Sequence, residues 1–322
     1  MNVTLDDGAF TFTVFTPTRD RAGTLPRLYQ SLADQTFDDF EWLVVDDGST
    51  DASVSLLERW QQSSRFPIRV IRKAESEGKF EAMRTAVEAA RGRLFLTLDS
   101  DDTCVPSALE RLSAAWDGIP EEVRAGYSAV TGLCMDSQGR LVGTPFPRDP
   151  TDSNSLEIHY RFRVRGEKWG FQRTDVLRGA MAATAVMRGP VPEGYVWNAI
   201  ARRYRTRYIN EILRVYHQDQ VDRLSQPSDL ARIADGALVS YRALLNEDLA
   251  WFRFAPMDFW YQAALTTRLA FHAGESLVSQ WRALRPRARL LWLAAFPAGT
   301  VLYTMDRIGV RRLVVALRRR MA

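Results

Sequence analysis

The chain has 322 residues, 46% hydrophobic and 25% charged, enough for one large core or a domain of roughly 200–250 residues with an appendage. That composition, with no internal repeat and no Gly/Ser, Gln/Asn or Pro-rich tract, excludes fibrous and disordered classes. The net charge of +4 is uneven: residues 285–322 carry nine arginines against one acid, Asp306, so the body is mildly acidic and only the tail should attract anionic surfaces.

Along the chain, Phe10 to Thr16 (FTFTVFT) reads as a strand, and Pro26 opens a helix in which Leu25, Leu28 and Leu32 recur at helical spacing. Glu41 to Asp47 is a second strand, followed by Ser49, Thr50 and Asp51 as caps for a helix through Leu56, Leu57 and Trp60. PIRVIR makes a third strand, Lys79 to Ala90 a helix, and LFLTLDSDD a fourth strand; Pro106 then starts another helix. Tyr127 to Gly143 reads as a hairpin turning at DSQGR, Arg163–Arg173 and Arg207–Tyr216 as strands, and Val196–Tyr204 as a helix. Beyond about residue 229 the pattern is helical, so the expected domains are 1–228 and 229–322.

Strands alternating with helices imply parallel βαβ units in an α/β fold, whose ligands bind beyond the carboxyl ends of the strands. Three polar clusters fall at such ends: TPTRD, DDGSTD and DSDD. Carboxylates at positions i and i+2 of a strand-end loop can share one hard divalent cation, with phosphate oxygens completing its shell. By itself DSDD could equally cap the following helix, and DDGST is ordinary turn chemistry. Cys104 and Cys134 lack a partner motif and read as reduced thiols, and three scattered histidines argue against zinc. MNVTLDDGAF has neither the basic nor the apolar region of a signal peptide, so the expected location is cytoplasmic.

In order and spacing, FTVFTPTRDRAGTLPRLYQSLADQTFDDFEWLVVDDGSTDAS followed by EGKFEAMRTAVEAARGRLFLTLDSDDTCVP resembles the nucleotide-sugar half of an inverting family 2 glycosyltransferase. The likeness is dense from Phe10 to about Ala115 and weaker through GEKWGFQRTDVL, PVPEGYVWNAIA and RYINEILRVYH, where it is similar to a bacterial subgroup of cell-surface and exopolysaccharide assembly. It implies a GT-A fold, a mixed sheet flanked by helices, with a helical C-terminal extension. It places Thr16, Pro17 and Arg19 at the edge of the nucleobase pocket and Asp47 on a uracil-type base, with Lys79 facing the nucleotide. Asp99, Ser100 and Asp101 match the DxD motif, with Asp101 as direct ligand of Mn²⁺ or Mg²⁺ and Asp99 near the ribose or the metal. Asp102 only caps. Glu193, the one acid of VPEGYVWNAIA, stands where the family often has an ED pair and is the expected base for the acceptor hydroxyl. Lys168 is a candidate to touch diphosphate or acceptor. The QxxRW motif of processive synthases is missing, Arg223 being the nearest arginine, which implies transfer of a single sugar. The implied partners are a UDP-sugar and a glycan or lipid-linked acceptor, not nucleic acid.

Two other classes bear on the same residues. Asp99-x-Asp101-x-Thr103 fits the DxDxT signature of haloacid-dehalogenase-type phosphatases, but it follows the fourth strand here, not the first. A degenerate, non-catalytic transferase serving as a membrane-surface scaffold is the other; intact Asp47, Asp99 and Asp101 argue against it. In the tail, Leu290 to Met305 is uncharged for sixteen residues, short of the roughly 20 needed to span a bilayer, and is interrupted by Pro297 and Gly299. Val310, Leu313, Val314, Leu317 and Met321 share one helical face and Arg307, Arg311 and Arg318 sit on another, although Ile308 and Val315 interrupt the polar side. That pattern suggests a peripheral anchor on the anionic inner face of the plasma membrane, or else a helical pair packed on the catalytic domain.

Overall fold

Short runs rich in Val, Leu, Ile and Phe form four parallel strands, β1 (Phe10–Thr18), β2 (Phe40–Asp46), β3 (Ile68–Arg72) and β4 (Gly92–Thr97), connected through α1 (Leu25–Ala33), α2 (Ser53–Ser63) and α3 (Lys79–Ala89). The chain continues through β5 (Thr103–Cys104), α4 (Ala108–Asp117), α5 (Glu121–Arg124), β6 (Tyr127–Asp136), β7 (Thr151–Ser153), α6 (Ser155–Tyr160), β8 (Lys168–Arg173), α7 (Thr174–Ala182), α8 (Glu193–Ala201) and β9 (Arg205–Tyr216). The nine strands make one mixed sheet in the order β3-β2-β1-β4-β8-β6-β9-β5, with β7 also on β9; β8, β5 and β7 pair antiparallel. The structure is a computed structural model that describes residues 9–184, 192–217 and 230–308. Arg223, the expected boundary near residue 228 and the amphipathic stretch 310–321 lie outside the described residues.

Successive strand residues point to opposite faces, and both faces are covered. Phe12, Val14, Trp42, Val44, Leu94 and Leu96 pack under α1, α2 and α4, while Phe15, Leu43, Val45 and Phe95 pack under α3, α7 and α8. Burial on both sides is why these strands read as continuous apolar runs. One polar tie crosses the sheet. Glu41 is fully buried, accepts from Thr13 Oγ1 at 2.8 Å and Arg91 N–H at 2.9 Å, and pairs with Arg69 at 3.0 Å. Gly92 permits the close approach of β4 to β1, since a Cβ there would come within 2.3 Å of Phe12 backbone.

The region after β4 departs from expectation. Residues 127–143 turn back at DSQGR as expected, but the return pairing is short: Asp136 N–H donates to the Arg140 carbonyl and Val142 N–H to the Cys134 carbonyl, each at 2.9 Å, around a bridge of Met135 to Leu141, while the rest of β6 pairs with β8 and β9. Only Lys168–Arg173 of the expected 163–173 strand is extended, because Arg163 and Gly166 take positive φ in the preceding turn. Directly after the DSDD cluster, Thr103 enters β5 and pairs with Val215.

By chain contacts the molecule divides into two compact units; of the described residues, 9–184 and 196–217 belong to the first and 192–195 and 230–308 to the second. The second is helical: α9 (Leu230–Glu247), a 3-10 turn, α10 (Pro256–His272), α11 (Leu277–Arg282) and α12 (Pro286–Arg307), with α10 packed on α9 and α12. Here Pro297 and Gly299 do not break the apolar stretch, which lies inside the single 22-residue helix α12. Gly299 seats α12 against α10, where a Cβ would meet the Ala264 carbonyl at 2.5 Å. The side chain of Asp306, 6% exposed, lies against Arg268 and His272, at 2.8 Å from Arg268 Nη2 and 3.1 Å from His272 Nε2. No helix among the described residues is long and apolar enough to cross a membrane.

Candidate active site

The loops at the carboxyl ends of β1, β2 and β4 are stitched together by short polar side chains. Asp20, held at a φ of 52°, accepts the Thr50 amide at 2.7 Å through Oδ1, and its own amide donates to Ser49 Oγ at 2.9 Å. Asp51 accepts the Ala22 amide at 2.9 Å. These bonds lock TPTRD against DDGSTD, so the two clusters form one rim.

Asp47 sits at the centre of that rim. Its carboxylate accepts Ser76 Oγ–H at 2.7 Å and the amides of Glu77 and Gly78, each at 2.9 Å. Burial pushes this carboxyl up, but the three donors outweigh it and hold it below the usual carboxylate range. Ser76 in turn accepts from Arg19 Nη1 at 2.8 Å, giving a continuous chain Arg19–Ser76–Asp47. Gly78, at a φ of 93°, turns the loop into α3 while presenting its amide to Asp47, a backbone setting that favours glycine. Lys79 follows as the first residue of α3, and its Nζ lies 2.9 Å from Asp99 Oδ1.

The four residues after Leu98 diverge. Asp99 and Asp101 are partly exposed, whereas Ser100 and Asp102 are buried. The Asp102 amide donates to the Asp99 carbonyl at 3.0 Å, tightening the turn, and the guanidinium of Arg27 donates to the Asp101 carbonyl. Asp102 points inward: Oδ1 accepts the His217 amide at 3.0 Å, and Arg214 Nε lies 3.4 Å from Oδ2. Burial pushes the Asp102 carboxyl up to about 7 against the opposing pull of Arg214 and the His217 amide. Arg214 also lies 3.5 Å from Glu167, so β9 braces the turn from below.

Sequence reasoning named Arg19, Asp47, Lys79 and Asp99, and the structure gathers all four. Thr16 and Pro17 are buried; the Thr16 hydroxyl accepts from Trp42 Nε1 at 3.0 Å, so that side chain serves the core, not the rim. Lys168 is spent locally, donating to the carbonyls of Arg165 at 2.8 Å and Glu167 at 3.2 Å, and burial holds its pKa below the usual lysine range. Glu193 is half-buried at the first turn of α8 and groups with the second unit. Ser76, Arg27, Arg214 and His217 were not singled out in the sequence, because no spacing rule marks a residue that reaches across from another loop. Cys104 and Cys134 are buried free thiols, pushed up to about 12 and about 11 by burial.

Among the described residues no three His, Cys, Asp or Glu side chains converge on a metal position. Asp99 and Asp101 nevertheless fit a magnesium-like ion. Both are partly open, hard-oxygen donors, and Mg²⁺ characteristically takes one or two carboxylates with water and substrate phosphates.

The chain resembles known proteins in sequence and in fold. It is 31% identical to the putative glycosyltransferase EpsH of Bacillus subtilis over 144 residues, 44% of this chain and 40% of that protein. The chain spans less than half the length of the first curated relatives it matches. Its fold matches S. aureus TarS 1-349, crystallised with UDP-GlcNAc, at a TM-score of 0.61 and 17% identity, over 90% of this chain and 80% of TarS 1-349. It also matches the mannosyltransferase PcManGT from Pyrobaculum calidifontis, solved with GDP-Man and Mn²⁺, at a TM-score of 0.51 and 18% identity, over 92% and 88% of the two chains. Residues 13–175, half of the chain and all of the rim just described, match the family model for glycosyl transferase family 2, and the chain belongs to that family.

Proposed function

We propose that this protein is a metal-dependent inverting glycosyltransferase that moves one sugar from a UDP-sugar to a hydroxyl of a glycan or lipid-linked acceptor. Its setting would be cell-surface glycan or exopolysaccharide synthesis at the inner face of the plasma membrane. The observation that carries the reading is the joining of Arg19–Ser76–Asp47 and Lys79–Asp99 at the carboxyl ends of parallel strands, where α/β sheets bind ligands. The UDP-GlcNAc and GDP-Man complexes of the two structural relatives support a nucleotide-sugar donor. A match that takes in Asp99–Thr103 sets the phosphatase alternative aside.

Asp47 fixes the loop of residues 76–78, which would border the nucleobase, and Arg19 supplies a cation at its edge. Asp99 and Asp101 would hold Mn²⁺ or Mg²⁺, which supplies charge compensation for the leaving diphosphate. Lys79, now neutralising Asp99, adds a second positive charge facing the same leaving group. Glu193 takes the proton of the acceptor hydroxyl as that oxygen bonds to the anomeric carbon. The bond to the diphosphate oxygen breaks on the opposite side, its electron pair leaves with the diphosphate, and the configuration inverts.

Thermal unfolding with UDP and GDP, each with and without Mn²⁺, tests the donor site: UDP with Mn²⁺ should raise the Tm by several degrees, roughly what mass action gives at 100-fold excess over Kd. Glu193→Gln should keep that shift while transfer falls about 10²–10⁴-fold. No shift with any nucleotide would defeat the donor reading, and normal turnover by Glu193→Gln would defeat the base assignment.

A further inference from the structure

The second unit holds ten of the fourteen large hydrophobic side chains exposed among the described residues. On α12 they are ordered. Ala288, Trp292, Ala295 and Gly299 form the buried face toward α10. Leu290, Leu293, Pro297, Val301 and Ile308 follow the same periodicity about half a turn away, on the outer side. Leu290, Leu293, Val301 and Ile308 are 70%, 50%, 57% and 68% exposed. From Leu290 to Ile308 the stripe runs about 27 Å along the helix axis. A surface helix ordinarily turns charge to solvent, but this one has none between Leu290 and Met305.

The borders of the stripe are cationic. Arg287 and Arg289 precede it, Arg307 stands at its end, and residues 309–322 add five arginines and no acid. Asp306, the one acid of the region, is turned inward onto Arg268 and His272 and offsets nothing at the surface. Within residues 285–322 a second copy would offer these arginines no acid other than the inward-turned Asp306. An anionic lipid leaflet matches both parts: apolar depth for the stripe and phosphates for the arginines.

We propose that the outer face of α12 docks on an anionic membrane surface, the helix lying in the plane of the interface with Leu290, Leu293, Val301 and Ile308 at the acyl boundary. Its inner face is committed to α10, so the helix lies on the bilayer and does not cross it. This inference deepens the membrane side of the proposed function. Vesicle binding is measured without nucleotide, so either can fail while the other stands.

Full-length protein is sedimented with vesicles of phosphatidylcholine alone, or with about one third phosphatidylglycerol. The protein should bind the anionic vesicles, several-fold less tightly when salt rises from about 0.1 M to about 0.5 M. Leu293→Asp combined with Val301→Asp should weaken binding at least ~10-fold with Tm unchanged, both side chains being exposed. Three results would overturn the proposal: no binding to anionic vesicles, undiminished binding by the double variant, or a lipid-free dimer that the same substitutions abolish.

Discussion

Thr16 and Asp47 show how one strand end divides its work. Thr16 lies in β1 with its hydroxyl under Trp42, while Asp47, just past β2, gathers the loop of residues 76–78. Replacing Thr16 by Val keeps the shape but leaves the Trp42 N–H buried without an acceptor, a loss of about 1–3 kcal/mol. Urea unfolding of Thr16→Val should show that loss, with UDP affinity unchanged. A drop in affinity at unchanged stability would instead return Thr16 to the nucleotide pocket. Asp47 and Asp99 stood out in the sequence because polar residues at the ends of apolar runs announce a strand-end loop, whereas Lys79 was named only through the family resemblance of its EGK segment. Ser76 and Arg214 were not, since Ser76 reaches Asp47 across 29 positions and Arg214 reaches Asp102 across a sheet whose order is not written locally.

At the scale of elements, β1, β2 and β4 were legible as apolar runs buried on both faces, and the edge strand β3 as a short β-branched run, each ending at a turn signal. The later strands were harder. DSQGR does make a tight turn, with the Gly139 amide donating to the Asp136 carbonyl at 3.0 Å, but the return segment pairs only around Met135 and Leu141, beyond the end of β8, because β8 and β9 flank β6 over the residues before it. Strands of two and three residues, β5 and β7, are too short to show a period. β7 is held to β9 by Asp152, which accepts from Arg207 Nε at 2.9 Å and Nη2 at 2.8 Å. Those hydrogen bonds hold the Asp152 carboxyl below its usual range. The unfolded chain therefore binds that proton more readily, and the tie is present above about pH 4 and lost as pH falls through the lower folded value. Protection of the Thr151–Ser153 amides, taken relative to the intrinsic exchange rate at each pH, should fall in that acid window, and Arg207→Gln should show the same loss of protection at neutral pH. Equal protection in both proteins across the range would show that the ion pair does not hold β7.

For the whole molecule, the acidic body and basic tail were plain from charge alone, and so was the α/β-then-helical order. Pro297 was misleading. It sits on the exposed side of α12, and the neighbouring packing of Trp292, Ala295 and Gly299 on α10 holds the helix through it, so tertiary contact overrides a local breaker. The central claim is that the two open carboxylates beyond β4 and the rim around Asp47 form one donor site. The most direct measurement is anomalous scattering from crystals soaked with Mn²⁺ and UDP. The account predicts a manganese peak within coordination distance of Asp101, about 2.0–2.3 Å, with the diphosphate beside it and the base along the 76–78 loop. Manganese and UDP bound away from Asp101, or UDP bound with no manganese near either carboxylate, would contradict it.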